Sequence, residues 1–464
     1  MGLASEYDLI ILGGGAAAFA SALKASQIDA KVAMIERGTI GGTCVNVGCV
    51  PTKNLLSVGE MLRSYNGKSL DSNPDFSFKK IIQRKDDLVL QLRNQKYVDV
   101  VKSMPNTEFI QGSAYFKSKN EVFVNGRLLL GKNIIIATGS SATVPPIKGI
   151  ADVDYLTNIE ALSLEEKPES MIIMGGSTLG VEFAQMFSRL GTQVTLLQRS
   201  AKIIPKEEPE ISELLRSYLE QEGITIHTGI TFKSIEKNGV YTVKSEVNGN
   251  PVEFSAEKIL MATGRRPNTA DLALENAGVA VSNSGTIQVD PEMHTNIPNI
   301  FAAGDVVGEP MLETVAAKEG SIAASNALFN THLRMDFNTV PHAVFTSPQV
   351  ASVGITEAEA IQRFGTCSCR TLMMSDVPKA VVVNKTKGLI KMVVDPKTQK
   401  ILGAHILSDL AADIIHEAVL AVKYGLTTDD IIDTVHIFPT MSESIKLVAT
   451  SFKKDLKMLS CCVE

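Results

Sequence analysis

Residues 7–18 read Tyr-Asp-Leu-Ile-Ile-Leu-Gly-Gly-Gly-Ala-Ala-Ala, a short apolar run that ends in three glycines and continues into small, helix-forming residues. Gly13, Gly15 and Ala18 match the Gly-x-Gly-x-x-Ala spacing of a dinucleotide-binding βαβ unit. The first glycine permits a tight turn, the second lets the backbone approach a pyrophosphate, and the small third residue lets the helix pack on the strand. The next apolar run ends at Glu36, whose carboxylate can accept hydrogen bonds from ribose hydroxyls.

A second unit of the same kind begins near residue 170. An apolar run leads into a turn bounded by Gly175 and Gly180, which is followed by a helical pattern and another apolar run. The position equivalent to Glu36 is occupied by Gln198 and Arg199. The loss of the carboxylate and the presence of an arginine favour a 2′-phosphate, and therefore NADPH over NADH. Two such units in one chain are much stronger evidence for nucleotide binding than one glycine-rich loop.

The size and composition of the chain restrict its class. With 464 residues it exceeds the size of a single hydrophobic core, so two to four domains are expected. The net charge of −6 and the lack of a long Lys/Arg run provide no basic face for nucleic acid. No apolar run approaches the roughly 20 residues of a membrane span, and no export signal opens the sequence. We therefore expect a cytoplasmic protein that binds neither nucleic acid nor membrane.

The six cysteines fall into three closely spaced pairs, and the first pair lies just after the first nucleotide unit. Residues 41–53 read Gly-Gly-Thr-Cys-Val-Asn-Val-Gly-Cys-Val-Pro-Thr-Lys. Cys44 and Cys49 can close a small disulfide ring if the chain turns onto a helix there, and a helix N-terminus stabilises a thiolate. Such a pair favours redox or metal chemistry. A purely structural disulfide or a pair of buried thiols is the alternative.

This cysteine motif resembles the active-site motif of the flavin disulfide reductases, which include glutathione reductase and lipoamide dehydrogenase. The resemblance covers nearly the whole chain. Residues 137–139 and 262–268 resemble the family's domain junctions, and residues 300–305 resemble its second flavin motif, in which Asp305 would bind the ribityl chain. From about residue 336, strands followed by helices predict a separate α+β domain.

The resemblance implies an α/β fold with two Rossmann-like domains and a C-terminal α+β dimerisation domain. Residues 1–148 and 269–336 would form the FAD-binding domain, residues 149–268 the NAD(P)H-binding domain, and residues 337–464 the dimerisation domain with its Cys-Cys tail. The family also forms homodimers in which this last domain completes the partner's site.

The family implies a shared half-reaction in which NADPH reduces FAD and the flavin reduces the Cys44/Cys49 disulfide. Cys49 would lie nearer the flavin and Cys44 would be the outer thiol. Lys53, about one helical turn beyond Cys49, would lie beside the flavin. The residues expected to contact FAD or NADPH are Gly13, Gly15, Ala18, Glu36, Gly42, Thr43, Lys53, Gly139, Asp305, Gly175, Gly180, Gln198, Arg199 and Gly264.

One departure from the family concerns proton transfer. Disulfide reductases resemble one another in a C-terminal His-Pro-Thr-x-x-Glu whose histidine shuttles protons for the leaving thiol. Here residues 438–443 read Phe-Pro-Thr-Met-Ser-Glu, and Phe438 cannot transfer a proton. His436 is expected to be a surface or interface histidine.

The C-terminal tail carries the vicinal cysteines Cys461 and Cys462, which make a good hook for a soft metal. It resembles the tail of those family members that reduce mercuric ion, where it passes Hg(II) to the inner pair of the other subunit. We therefore expect NADPH-dependent reduction of Hg(II) to Hg(0), with Cys44, Cys49, Cys461 and Cys462 as metal ligands. Tyr97 resembles a tyrosine that lines the mercury site, although a half-buried helical tyrosine is an equal reading. Phe438 replaces the second tyrosine of that site.

Three other functions stay open. The nearest is a disulfide reductase that acts on a small thiol or lipoyl substrate. The others are a redox-inactive thiol protein that buffers metal, which would make little use of two nucleotide units, and a flavin oxidase or diaphorase. In residues 367–369, Cys-Ser-Cys, strand alternation places both thiols on one side, where we expect them to be buried; softness alone is weak support for metal binding there.

Overall fold

The computed structural model describes residues 5–66 and 77–455, with side chains described throughout except at 64–66. The predicted α/β fold class is confirmed. Cys461 and Cys462 lie outside the described residues. The strands are β1 (Ser5–Leu12), β2 (Val32–Glu36), β3 (Thr107–Gln111), β4 (Ala114–Ser118), β5 (Glu121–Val124), β6 (Arg127–Ile136), β7 (Ser140–Ala142), β8 (Ser170–Met174), β9 (Gln193–Leu197), β10 (Thr225–His227), β11 (Ile230–Asn238), β12 (Val240–Val247), β13 (Asn250–Ala256), β14 (Lys258–Met261), β15 (Arg265–Pro267), β16 (Ile300–Ala302), β17 (His342–Val344), β18 (Gln349–Gly354), β19 (Ser368–Met373), β20 (Leu389–Val394) and β21 (Ile401–Ser408).

The α-helices are α1 (Ala16–Ser26), α2 (Gly42–Val47), α3 (Cys49–Asn66), α4 (Phe78–Arg93), α5 (Asp99–Lys102), α6 (Asn158–Leu162), α7 (Thr178–Arg189), α8 (Pro209–Gln221), α9 (Glu313–Phe329), α10 (Glu357–Phe364), α11 (Pro378–Val382), α12 (Ala411–Tyr424), α13 (Thr428–Asp433) and α14 (Glu443–Thr450). Helices α2 to α5 follow one another after β2, and α12 to α14 follow one another after β21. A π-helical turn, Asn94–Val98, links α4 to α5.

The first nucleotide unit is built on a seven-stranded sheet in the order β3-β2-β1-β6-β5-β4, with β16 paired to β6. Strand β1 lies between parallel neighbours, so Leu9 to Leu12 are buried on both faces. The turn after it requires glycine at position 13, since φ is +130° and a Cβ there would lie 2.1 Å from the carbonyl oxygen of Ala137. Helix α1 then packs against α9, which returns from far along the chain.

The second nucleotide unit repeats this arrangement with a four-stranded parallel sheet in the order β10-β9-β8-β14. Gly175 takes φ +109°, and a Cβ there would lie 2.3 Å from the carbonyl oxygen of Ala262. The antiparallel strands β11, β12 and β13 form a separate sheet. The strand-turn-helix-strand order predicted from residue 170 onward matches β8, α7 and β9.

The C-terminal part is an antiparallel sheet in the order β17-β18-β21-β20-β19, with α12 packed on β18 and β21 and α14 packed on β19 and β20. The expected α+β pattern is present. Strands β18 and β21 were missing from the sequence prediction, and they are the central pair that joins the two edges of the sheet. The domain boundaries given above stay predictions.

The expectation of buried thiols in the Cys-Ser-Cys segment is wrong. Cys367 and Cys369 form a disulfide with their Cα atoms 5.9 Å apart, and both residues are partly exposed. Cys367 precedes the first residue of β19, so it lies in the connection from α10 and only Cys369 belongs to the strand. The two side chains do share one side, and their Cα separation lies within the ordinary range for a disulfide.

Among the residues described, none of the helices is both long enough and apolar enough to cross a bilayer.

Candidate active site

A break between two helices brings the first cysteine pair together. Cys44 lies in α2, and Cys49 is the first residue of the 18-residue helix α3. Gly48 separates the helices, and a Cβ on it would lie 2.9 Å from the carbonyl oxygen of Thr43. The chain can therefore fold tightly enough at this position for the Cys49 thiol to meet the Cys44 thiol. Both cysteines are free in this structure.

The two thiols have different protonation preferences. The hydrogen bond with Cys44 lowers the pKa of Cys49, and the positive charge of Lys53 adds to this effect. The same hydrogen bond, together with burial, raises the pKa of Cys44. A helix N-terminus at Cys49 favours the same outcome, because its partial positive charge stabilises a thiolate. The Cys49 thiol therefore ionises more readily than the Cys44 thiol.

Lys53 reaches across to the second nucleotide unit. Its Nζ atom lies 2.7 Å from Oε2 of Glu182, which is buried in α7. The other oxygen of Glu182 accepts a hydrogen bond of 2.8 Å from the backbone N–H of Phe345, and Lys53 lies over the ring of the same residue. The sequence analysis missed Glu182. The available signal was a single carboxylate within a mostly apolar helical run, residues 180–187, whose other polar residue is Gln185.

A second missed residue, Glu313, lies beside the cysteines. It is the first residue of α9, and its Oε2 atom accepts a hydrogen bond of 2.7 Å from the Sγ atom of Cys44. Its Oε1 atom lies 3.4 Å from the hydroxyl of Tyr97. Burial and the nearby carboxylate raise the pKa of Tyr97, so the hydroxyl stays protonated and donates. No local pattern could reveal Glu313, because 269 positions separate it from Cys44.

Tyr97 combines the two alternatives given above, a tyrosine that faces the cysteine site and a partly buried helical tyrosine. It lies in the π-helical turn, it is partly exposed, and its ring packs edge-on against Phe19 with centroids 4.9 Å apart. Its hydroxyl faces Glu313 and thus the cysteine pair. A packed aromatic ring and a polar contact to the site coexist in this residue.

A cavity of about 300 Å³ lies at the carboxyl end of β1 and β2 and includes Gly13 and Glu36. Nearby, a Cβ on Gly42 would lie 2.7 Å from the Cα atom of Gly15, so the two backbones meet at a distance only glycines allow. No side chain caps the first turn of α1, which begins after Gly15, while Ala18 is fully buried within it. This cradle fits the pyrophosphate and ribose of a dinucleotide.

Asp305 lies close to other residues that were predicted to bind FAD. It follows β16 and accepts a hydrogen bond from the Ser140 hydroxyl, and its Oδ2 atom lies 3.7 Å from Nε of Arg265. The guanidinium of Arg265 also reaches Thr43, 3.5 Å away. Asp305 and Thr43 therefore belong to one polar group. Burial lowers the pKa of Arg265, and the negative charges of Asp305 and Cys49 partly oppose this effect, so the polar group adjoins Cys49.

The two predicted domain junctions meet in the short ladder formed by β7 and β15. Gly139 precedes β7 with φ +67°, and Gly264 precedes β15 with φ +112°. A hydrogen bond of 2.9 Å from the N–H of Asn268 to the carbonyl of Gly139 closes the pair. The junctions thus lie side by side next to Asp305.

The predicted nicotinamide-nucleotide residues lie together at the carboxyl ends of β8 and β9. A Cβ on Gly180 would lie 1.7 Å from the carbonyl oxygen of Gly175, which makes glycine necessary there. Gln198 is buried, and its Oε1 atom accepts a hydrogen bond of 3.1 Å from the N–H of Gly176. Arg199 is exposed. The glutamine therefore braces the turn, and the arginine is the side chain free to face a phosphate.

The C-terminal motif contains no proton donor at its first position. Phe438 is 44% exposed. Glu443, five residues later, has an Oε2 atom that is buried and accepts no hydrogen bond from any part of the chain that the structure describes, and burial raises the pKa of this carboxyl. His436 is bound to Oε1 of Glu417 at 2.8 Å. The ring of His436, two residues before Phe438, is thus hydrogen-bonded to Glu417 and does not take the place of the missing proton donor.

Two family descriptions match this architecture. Residues 7–320 match the family described as pyridine nucleotide-disulphide oxidoreductase, and residues 340–449 match its dimerisation domain.

Curated relatives match along almost the entire chain. The mercuric reductase of Staphylococcus aureus is 42% identical and covers 98% of this chain and 84% of its own length. The mercuric reductase of Bacillus cereus is also 42% identical, and the match covers 98% of this chain and 73% of the relative. The mercuric reductase of Streptomyces lividans is 40% identical, covering 98% of both chains.

Among solved structures, the HOCl-induced flavoprotein disulfide reductase RclA from Escherichia coli superposes with a TM-score of 0.86 at 32% identity, covering 97% of this chain and 100% of that chain. Its Cu(II) complex superposes with a TM-score of 0.88 at the same identity and coverage.

Proposed function

The chain belongs to the pyridine nucleotide-disulphide oxidoreductase family, and from this premise we propose that it reduces Hg(II) to Hg(0) with electrons that pass from NADPH through FAD to the Cys44/Cys49 pair. The observation that carries the proposal is the free Cys44/Cys49 pair, in which Cys49 is the first residue of α3 and has a lowered pKa. The mercuric reductases that match 98% of the chain give the substrate.

The residues of the first unit fit FAD. The close approach of Gly15 and Gly42 leaves room for a pyrophosphate, and Glu36 lines the adjoining cavity, where its carboxylate would accept hydrogen bonds from ribose hydroxyls. Asp305 would bind the ribityl chain, and Lys53 would lie at the ring. Bound FAD would relay an electron pair from the nicotinamide to the cysteines. The other proposed FAD contacts are Gly13, Ala18, Thr43 and Gly139.

The second unit would bind NADPH through Gly175, Gly180, Gly264 and Arg199. The exposed guanidinium of Arg199 is suited to a 2′-phosphate. Gln198 would act indirectly, because its amide is committed to Gly176.

The chemistry of the cysteines follows from ligand softness. Hg(II) is soft, so thiolates hold it far better than oxygen or nitrogen ligands. The Cys49 thiolate would bind the arriving Hg(II) first, and Cys44 would follow as its proton is released to solvent, to which this residue is partly exposed. With the ion held between both sulfurs, two electrons convert Hg(II) to Hg(0) and leave two thiolates. Neutral mercury binds thiolate weakly, which allows the product to leave.

Delivery by a second subunit is the finer part of the proposal. Cys461 and Cys462 lie outside the described residues. A role for them in delivery is supported by the high affinity of thiolates for a soft metal ion such as Hg(II). We place this pair on the partner of a homodimer, from which it would pass Hg(II) to Cys44 and Cys49 by ligand exchange. The dimerisation-domain match and the strongly exposed apolar side chains Val435 and Ile437 support an interface at this end of the chain.

The domain assignment follows the sheets. The seven-stranded sheet takes its strands from residues 5–136 and 300–302, which supports an FAD-binding domain of residues 1–148 and 269–336. Strands β8 to β14 support a NAD(P)H-binding domain of residues 149–268, and β17 to β21 support a dimerisation domain of residues 337–464. We place the protein in the cytoplasm, where the reaction would serve mercury resistance.

A disulfide reductase acting on a small thiol is the alternative, and the structural likeness to RclA favours it. Such a reaction has to protonate a leaving thiolate. Phe438 cannot do so, and His436 is held by Glu417. These observations favour the mercuric ion as substrate.

The decisive experiment measures NADPH oxidation by the purified protein when Hg(II) is supplied in an excess of small thiol, while volatile mercury is trapped from the gas stream. Oxidation that depends on Hg(II) and yields matching Hg(0) would support the proposal. Oxidation without Hg(0), or only with glutathione disulfide or lipoamide, would reject it in favour of the alternative.

A further inference from the structure

Three groups that can bind a metal ion converge at the redox cysteines. The sulfur atoms of Cys44 and Cys49 and a carboxylate oxygen of Glu313 all lie within 4.8 Å of one another. The three come from separate segments, namely α2, the start of α3 and the start of α9. Cys49 and Glu313 are exposed and Cys44 is partly exposed, so a cation from solution can reach the group.

We propose that Glu313 is a third ligand for a cation held by Cys44 and Cys49, and that this site of two sulfurs and one oxygen also binds the borderline divalent cations Zn(II) and Cd(II). The reduction of Hg(II) at the same pair rests on the proposed function. The binding of Zn(II) and Cd(II) rests on the geometry of the three side chains.

The carboxylate is held in position for this role. Tyr97 lies 3.4 Å from Oε1 of Glu313, while Oε2 points to the sulfur of Cys44 at 2.7 Å. The tyrosine ring is fixed against Phe19. A metal ligand is commonly oriented by a neighbour that hydrogen-bonds its other atom, and Tyr97 has this relationship to Glu313. The oxygen nearer the cysteines thus already faces the sulfur of Cys44, and their separation of 2.7 Å would have to open to about 3.5 Å around a tetrahedral cation.

The ligand set selects a class of cation. Hg(II) is the softest of these ions and is satisfied by two thiolates. Zn(II) is borderline, binds thiolate, imidazole and carboxylate together, and usually takes four ligands. Two thiolates, one carboxylate and a water molecule would complete such a shell. Zn(II) is not redox-active, so it would occupy the site without turnover, and its heavier congener Cd(II) would do the same. The consequence is inhibition of the reductase by these ions.

The test uses the full-length flavoprotein with Cys367, Cys369, Cys461 and Cys462 replaced by serine, so that Cys44 and Cys49 are the two remaining thiols of the six cysteines. After anaerobic reduction, Cd(II) and Zn(II) affinities are measured by competition with a chromophoric chelator. We expect one ion per chain. Glu313→Gln should weaken Cd(II) and Zn(II) binding by at least about 10-fold, because the loss of a residue that only orients a metal ligand already costs roughly 10–100-fold.

Glu313→Asp, which keeps the carboxylate on a shorter side chain, should recover part of the affinity. Glu309→Gln removes the same charge four residues earlier, where the carboxylate pairs with Lys206, and should leave the affinity unchanged. Thiol titration and flavin content check that each variant folds. Equal Cd(II) affinity in the Glu313→Gln variant and its parent would overturn the inference. Trapping of Hg(0) from the unmodified protein is scored separately, so failure of the proposed function would be recognised independently.

Discussion

Lys53 of α3 and Glu182 of α7 form an ion pair with 2.7 Å between Nζ and Oε2. The pair connects the helix that begins at Cys49 to the first helix of the second nucleotide unit. Glu182 also accepts the N–H of Phe345, so one buried carboxylate joins three parts of the chain. The lysine expected to lie at the flavin is therefore oriented by a residue of the nicotinamide-binding unit.

Replacing Glu182 with alanine should destabilise the protein. The side chain of Glu182 is only 2% exposed, whereas that of Lys53 is 32% exposed, so part of the lost interaction would be recovered by hydration of the ammonium. We expect a loss of about 1–3 kcal/mol, the range for leaving a buried partner unsatisfied. Urea unfolding followed by flavin fluorescence measures it. Glu165→Ala, which breaks the exposed pair with Lys79, should change the stability very little, and equal losses in both variants would contradict the role of Glu182.

The thiolate at Cys49 should show in the pH dependence of alkylation. Since the pKa of Cys49 is lowered, its thiolate persists as the pH falls below the ordinary thiol value of about 8.5. The reduced protein, with its other cysteine pairs changed to serine, should therefore react with iodoacetamide at neutral pH. Cys44→Ala should remove the hydrogen bond that lowers the pKa of Cys49, and so shift the reaction to higher pH. A profile centred on the ordinary thiol pKa in the parent would contradict this assignment.

The terminal cysteines should matter only when mercury arrives bound to competing thiols. We expect Cys461→Ala/Cys462→Ala to leave flavin reduction by NADPH intact, because the nucleotide units are unchanged. Turnover with Hg(II) in excess thiol should fall, since the tail would no longer exchange ligands with the incoming complex. Stopped-flow flavin reduction and steady-state Hg(0) release separate the two effects. Equal activity of variant and parent under excess thiol would remove the tail from the mechanism.

Arg199 should decide the preference for the phosphorylated nucleotide. Arg199→Ala should raise KM for NADPH about 10–100-fold, as expected when a charge-assisted hydrogen bond worth roughly 1.5–3 kcal/mol is lost. The KM for NADH should hardly change, and this comparison is the internal control. Gln198→Ala should instead lower the stability of the unit, because the amide braces Gly176. Equal effects of Arg199→Ala on both nucleotides would show that the arginine does not read the phosphate.

Much of the site was visible in local sequence patterns. The glycine turns after β1 and β8, the acid at Glu36 and the cysteines of residues 44–49 are read from spacings of a few to about 20 positions. Such spacings fix geometry because a strand, a tight turn and a helix leave little freedom over that distance. The segment Cys367–Cys369 shows the limit of this reasoning, since one residue of the pair lies outside the strand and the side chains are partly exposed.

The sequence by itself determined the two glycine-turn βαβ units, the close spacing of Cys44 and Cys49 and the lack of a proton donor at Phe438, because each depends on residue identity at short range. Only the tertiary structure decided which distant residues complete the site. Glu313 meets Cys44 across 269 positions, and Glu182 meets Lys53 across 129. These contacts depend on how α7 and α9 pack against the helices that follow the first unit. The sequence spacing around a carboxylate does not indicate which distant side chain it will contact. The positions of Glu313 and Glu182 in the site are therefore set by helix packing.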